Sequence, residues 1–165
     1  MDALSLLGDE AALADGLMDQ VLGGVTNEQA VWRPEGGTNN PIASIAVHIY
    51  FSQDRLIQRL QGRPTVAEAG GWGQRLGLTP SAIWTPLSNP DLNTIRGYIT
   101  EVRAATDDFL QHLDPGRLGT EEVDLPIGRR SLASALALIL VVHKSAHLGE
   151  ISALVGAQGG KGFPF

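Results

Sequence analysis

The sequence predicts an all-α protein, a four-helix bundle in which a long crossover joins helices two and three. Three observations lead there. Apolar residues recur at helical spacing in four stretches. Glycine and proline clusters punctuate the chain between them. One of these separators, residues 63–90, is far longer than the others. The chain has 165 residues, 43% of them hydrophobic and 18% charged. That suits one domain, residues 1–165, with a core of its own, and excludes a disordered chain.

The first helix is expected over residues 2–22, with Leu4, Leu7, Ala11, Ala14 and Met18 on one face and Gly23-Gly24 as its stop. Val31-Trp32-Arg33-Pro34-Glu35-Gly36-Gly37 reads as a turn-rich connector. The second helix starts near Asn40-Pro41, with Asn40 as a good N-cap and Pro41 suited to the first turn. Its stripe is Ile42, Ile45, Ile49, Leu56 and Leu60, and Gly62-Arg63-Pro64 ends it.

The separator that follows contains four prolines and Gly70-Gly71-Trp72-Gly73. Loops of this length are uncommon in compact domains. A helix of 20 residues is ~30 Å long, and about nine extended residues can retrace it. The separator is therefore long enough to let helix three run parallel to helix two.

Helix three is expected over residues 91–113, carrying Leu92, Ile95, Ile99, Val102 and Leu110, with Asp114-Pro115-Gly116 as its stop. Residues 121–128 alternate briefly, as a small hairpin or an extended strap would. Helix four is expected over residues 131–155. Its first half is apolar nearly all round, which predicts the most buried helix of the four. The tail ends in Phe163-Pro164-Phe165, whose rings are expected to tuck back onto the bundle.

Composition excludes several functions. Twelve Lys and Arg against 18 Asp and Glu leave a net charge of −6, and only Lys144 and Lys161 are lysines. No basic stripe is available for a nucleic acid or an anionic membrane. There is no cysteine, so thiolate metal sites, disulfides and a cysteine nucleophile are all excluded. The N-terminus does not read as a signal peptide. The longest apolar run, residues 135–142, is short of the ~20 residues of a membrane span. The expectation is a soluble, cytoplasmic protein.

The chemistry centres on histidine. His143 and His147 stand four residues apart on helix four. At 100° per residue, Leu136, His143, His147, Glu150 and Leu154 fall within roughly 60°, with Lys144, Ser145 and Ser152 elsewhere. This points the two imidazoles toward the core. Interior histidines with ordinary hydrogen-bond partners would satisfy the same pattern. A metal ion is the more economical answer, because four buried ring nitrogens need partners and His-x-x-x-His is a natural clamp. No Glu follows His143, so the metalloprotease pattern is absent.

His48 lies on the flank of helix two, from which it can face a neighbouring helix. It is either a boundary histidine or the third ligand. Three neutral imidazoles leave positions open on a metal, the catalytic rather than the structural arrangement. Glu150, one turn beyond His147, could orient that ring, accept a proton, or form a simple ion pair. His112, in the last turn of helix three, reads as structural. Trp72 and Trp84 could wall a pocket or cap the bundle, and Arg55 could meet an anionic substrate or simply face water. The glycines around Lys161 have the wrong spacing for a phosphate loop. Asp107-Asp108 and Glu121-Glu122 read as solvated faces.

These residues resemble the DinB/YfiT-like family of metalloenzymes. The resemblance rests on His48 in Ile45-Ala46-Val47-His48-Ile49 and on His143-Lys144-Ser145-Ala146-His147-Leu148-Gly149-Glu150-Ile151. Glu28-Gln29-Ala30-Val31-Trp32-Arg33-Pro34 and Tyr98-Ile99 add to it. It implies a bundle of up-down-down-up topology and a divalent metal, nickel or zinc, on three histidines. Characterised members of that family include thiol-dependent S-transferases and a maleylpyruvate isomerase. The expected function is thus metal-dependent transfer or hydrolysis on a small molecule. Any thiol would come from a cosubstrate, since the chain has none. A homodimer is also expected. The competing expectation is a non-catalytic, metal- or ligand-binding stress-response bundle.

Overall fold

The structure is a computed structural model that describes residues 2–78 and 91–163. It is mostly helical. Helix α1 spans Ala3–Gly23 and starts where the Asp2 carboxylate accepts from the Ser5 N–H. A short α2, Asn27–Val31, follows with a capping box between Thr26 and Gln29. Neither the box nor the helix is among the expected elements, since Thr26-x-x-Gln29 falls between the Gly23-Gly24 stop and the connector that begins at Val31.

Helix α3 spans Ile42–Gln61. Pro41 is its N-cap, so Pro41 stands one position earlier than expected and Asn40 lies outside the helix. Gly62 closes it at φ 64°, a left-handed conformation that costs glycine nothing. Helix α3 is the central helix. Every residue from Ile42 to Phe51 is buried, and so are Gln53, Asp54, Leu56, Ile57 and Gln58.

The crossover is not wholly irregular. It carries α4, Val66–Ala69, and α5, Trp72–Leu76. Its anchor is Asp54 of α3, 1% exposed, whose carboxylate accepts from the Val66 and Ala67 N–H groups at 2.8 and 3.0 Å. Trp72 packs against Tyr98, and its indole N–H donates to Glu101 at 2.7 Å. Trp72 therefore pins the crossover to the next long helix. Trp84 falls outside the described residues, as do residues 79–90.

Helix α6, Leu92–His112, is capped by Asp91, which accepts from the Asn93 and Thr94 N–H groups. It packs along α3. Gln53 donates to Thr106 at 2.8 Å, while Leu60 and Gln61 border a cleft with Phe109 and His112.

After a short α7, Arg117–Thr120, the alternating stretch forms a hairpin. Strand β1, Glu122–Leu125, pairs antiparallel with β2, Gly128–Ser131. The last long helix comes in three parts: α8, Leu132–Ala137; a π turn, Leu138–His143; and α9, Lys144–Ala157.

This helix is not the most buried one. Leu132, Ala135, Leu136 and Leu140 are covered, but Val142 is 57% exposed. Helix α3 holds that place, because it packs between α6 and the last helix and touches both. The span Leu132–Ala157 is long and apolar enough to cross a membrane, with mean hydropathy 1.5, a test that a core helix also passes. Here it packs on α1, α3 and the hairpin. Phe163 lies against the core, as expected of the tail; Phe165 is outside the described residues.

Candidate metal centre

His48 projects from α3 toward the last helix. His143 closes the π turn, and His147 stands in the first turn of α9. The three rings meet. Ring centroids are 5.0 Å apart for His48 and His143, 4.9 Å for His48 and His147, and 4.5 Å for the helical pair. The Nε2 atoms of His48 and His143 are 3.0 Å apart. One ring nitrogen from each residue lies within 4.8 Å of the other two.

The two histidines of the last helix stand at the edge of the core, against His48, and not at its centre. Both are only partly buried, and Glu150 is exposed. The reason is the π turn, which adds one residue to a turn and shifts the phase of everything after it. The 100° arithmetic assumed an unbroken α-helix. The buried line beyond the turn is Lys144, Leu148, Ile151 and Leu154 instead.

The donor set suits a divalent cation. Burial, reinforced by His147 and His48, pushes the His143 imidazole down to about 4, so it is neutral at pH 7. His143 Nδ1 is buried and has no hydrogen-bond partner. The Glu150 carboxylate lies 2.7 Å from His147 Nδ1. A proton held on Nδ1 by this carboxylate leaves the Nε2 lone pair for a ligand bond, a common support of metal-binding histidines. Two nitrogens each ~2.1 Å from one ion and at right angles lie ~3.0 Å apart, the spacing found between His48 and His143. The set as a whole is looser, with 4.8 Å as its outer limit.

The chain matches the family model of the DinB superfamily over residues 12–151. It belongs to the DinB superfamily. The match takes in His48, His143, His147 and Glu150. Among solved structures, this DinB chain is similar to one described as a conserved protein from Enterococcus faecalis. The TM-score is 0.75 at 15% identity, covering 94% of this chain and 99% of that one. That likeness concerns the fold. No curated protein matches the chain in sequence.

The other candidates lie apart from the histidines or do different work. His112 is on the surface and pairs with Asp108 at 3.3 Å. Arg55 is exposed, its guanidinium 5.8 Å from the Phe51 ring. Glu121 and Glu122 pair with Arg117 and Arg129 on the outside of this DinB protein.

Sequence reasoning missed the ionic cluster beside the site. Lys144, placed away from the core by the arithmetic, is 0% exposed, and its ammonium donates to Asp15 of α1. The Tyr50 hydroxyl donates to the same carboxylate at 2.7 Å and accepts from Arg103 at 2.6 Å. Arg103 also holds Asp19. Four long helices thus meet at one charge cluster around buried Lys144. A lysine four residues after a buried leucine, Leu140, is the one sequence signal that could have suggested it.

Proposed function

We propose that this DinB-superfamily protein is a metal-dependent enzyme acting on a small molecule, with thiol transfer to an electrophile as the leading reaction. Metal-assisted hydrolysis is the related alternative. The convergence of His48, His143 and His147 carries the reading. These three would hold a divalent ion, nickel or zinc being our choice from the imidazole donors and the family resemblance. When bound, such an ion supplies Lewis acidity, which makes a thiol or a water ionise near neutral pH.

The chain's own residues do the rest. His48 comes from one helix and the histidine pair from another, so the site depends on the packing of α3 against α9. Glu150 accepts the His147 Nδ1–H and so fixes which nitrogen faces the ion. The catalytic role we assign to Glu150 is uptake, through solvent, of the proton that a thiol gives up, and its exposure supports that role. The chain lacks cysteine, so the thiol comes from a cosubstrate. The same proposal includes an up-down-down-up bundle, supported by the length of the crossover and by the packing of α6 along α3. It also includes a homodimer and a cytoplasmic setting.

The test has two stages. Protein purified without an affinity tag is analysed for metal. It is then assayed with low-molecular-weight thiols against a panel of electrophiles. About one equivalent of nickel or zinc, and turnover that disappears in His48→Ala, is the expected result. Full occupancy with no turnover across the panels would leave a binding role in place of catalysis. Absence of metal in protein refolded with each candidate ion would end the metal reading.

A further inference from the structure

Lys144 and His143 are neighbours in sequence but face opposite tasks, and the π turn before them decides both. Count 100° per residue from buried Leu136. An unbroken α-helix would put His143 about 20° from the line of Leu136 and Lys144 about 80° from it. One extra residue in the turn sets everything after it back by about 100°. Lys144 then returns to within about 20° of that line, and His143 moves out to about 120°. The burial agrees. Lys144 is 0% exposed, whereas His143 is partly exposed and meets His48.

A lysine at the centre of a core costs more than it returns, unless it is paired. Here the partner is Asp15, from α1. The ammonium also lies 5.2 Å from the Tyr50 ring of α3, and Arg103 of α6 reaches both Asp15 and Tyr50. A charge can be satisfied in this pocket in one register only. If the π turn relaxed to α-helix, Lys144 would swing outward and His143 would swing into the core. Fixing register is the best-attested use of a buried ion pair.

We propose that Asp15 and Lys144 form a register lock, in which the ion pair made by buried Lys144 holds the π turn and thereby keeps His143 facing His48. They are positioning residues, since neither reaches the histidine cluster with its own side chain. This inference rests on the metal reading of the site.

The test uses cobalt(II) as probe, followed by its visible absorption on titration into the full-length apo protein. Asp15→Asn keeps the shape of the side chain and removes its charge, leaving Lys144 buried and unpaired. Lys144 is then driven toward water, and cobalt affinity should fall on the order of 10–100-fold with an altered band shape, the range seen when outer supports of metal ligands are lost. The double variant Asp15→Asn/Lys144→Met replaces the pair with uncharged groups of similar size. It should recover affinity to within about threefold, since removing both partners of a buried pair is often near neutral. Lys144→Ala, which creates no unpaired lysine and leaves Asp15 its arginine, guards against a misfolded Asp15→Asn and should show the same loss. Wild-type affinity and spectrum in Asp15→Asn or in Lys144→Ala would overturn the lock. So would a double variant that fails to recover, because the effect would then run through Arg103. No cobalt binding by the wild-type protein would instead defeat the metal reading itself.

Discussion

Removing the metal should destabilise the protein, and the size of the effect can be worked out. A ligand that binds only the folded state adds RT ln(1 + [L]/Kd), ~2.7 kcal/mol at a hundredfold excess over Kd. Unfolding entropy near the melting point is ~2.1 cal/mol/K per residue, or ~0.35 kcal/mol/K for a chain of this length. The melting temperature should therefore rise by ~8 °C between protein in chelator and protein at that excess of nickel or zinc. His143→Ala should reduce this rise to ~2 °C or less, because two imidazoles from different helices no longer grip a common ion. The apo variant itself should lose little, since the imidazole removed carries a buried Nδ1 with no partner. His112→Ala is the control. Its ring is on the surface, with 76% of the side chain exposed, and the metal-dependent rise should persist. Differential scanning calorimetry at pH 7, with metal content checked before each scan, makes the measurement. An unchanged melting temperature after verified metal removal would refute the reasoning, as would an undiminished rise in His143→Ala.

Other outcomes follow from the same contacts. Glu150→Ala should weaken metal binding by about 10–100-fold, whereas Glu150→Gln, which retains an oxygen to accept from His147 Nδ1, should recover most of it; calorimetric titration decides, and equal losses would refute the tautomer argument. In chelator, the protein should lose stability as pH falls below about 6.5, the ordinary histidine value, and this contribution should flatten near 4, where folded His143 titrates. The sign follows because the unfolded chain takes up the proton first, so acid favours it; comparing urea midpoints at pH 7 and 5, His143→Ala should show about 1 kcal/mol less pH dependence than wild type, the partial exposure of the ring reducing the figure. Asp54→Ala strips the partner from two backbone N–H groups of α4 and from the Tyr98 hydroxyl. It should cost about 3–5 kcal/mol by urea denaturation, with faster proteolysis in the crossover, and a loss below about 1 kcal/mol would mean that the crossover is anchored elsewhere.

The sequence by itself determined what depends on neighbours along the chain. Asp2, Asp91 and Gly62 act through the backbone within a turn of themselves, so the ends of α1, α6 and α3 could be read to within a residue or two. The apolar stripes of α1, α3 and α6 fell on the buried faces for the same reason. The spacing of His143 and His147, and a flank position for His48, were enough to name the three histidines that converge. The tertiary structure decided the rest. A π turn is a small defect in a helix, sustained by what the surrounding helices offer, and its extra residue cannot be seen in a run of leucine, isoleucine and valine. Once present, it rotated everything after it by about a third of a turn. It moved the histidines from the core to its edge and brought Lys144 inside. Whether a lysine can be buried depends on a carboxylate 129 residues away in the chain, and no local rule can supply that partner.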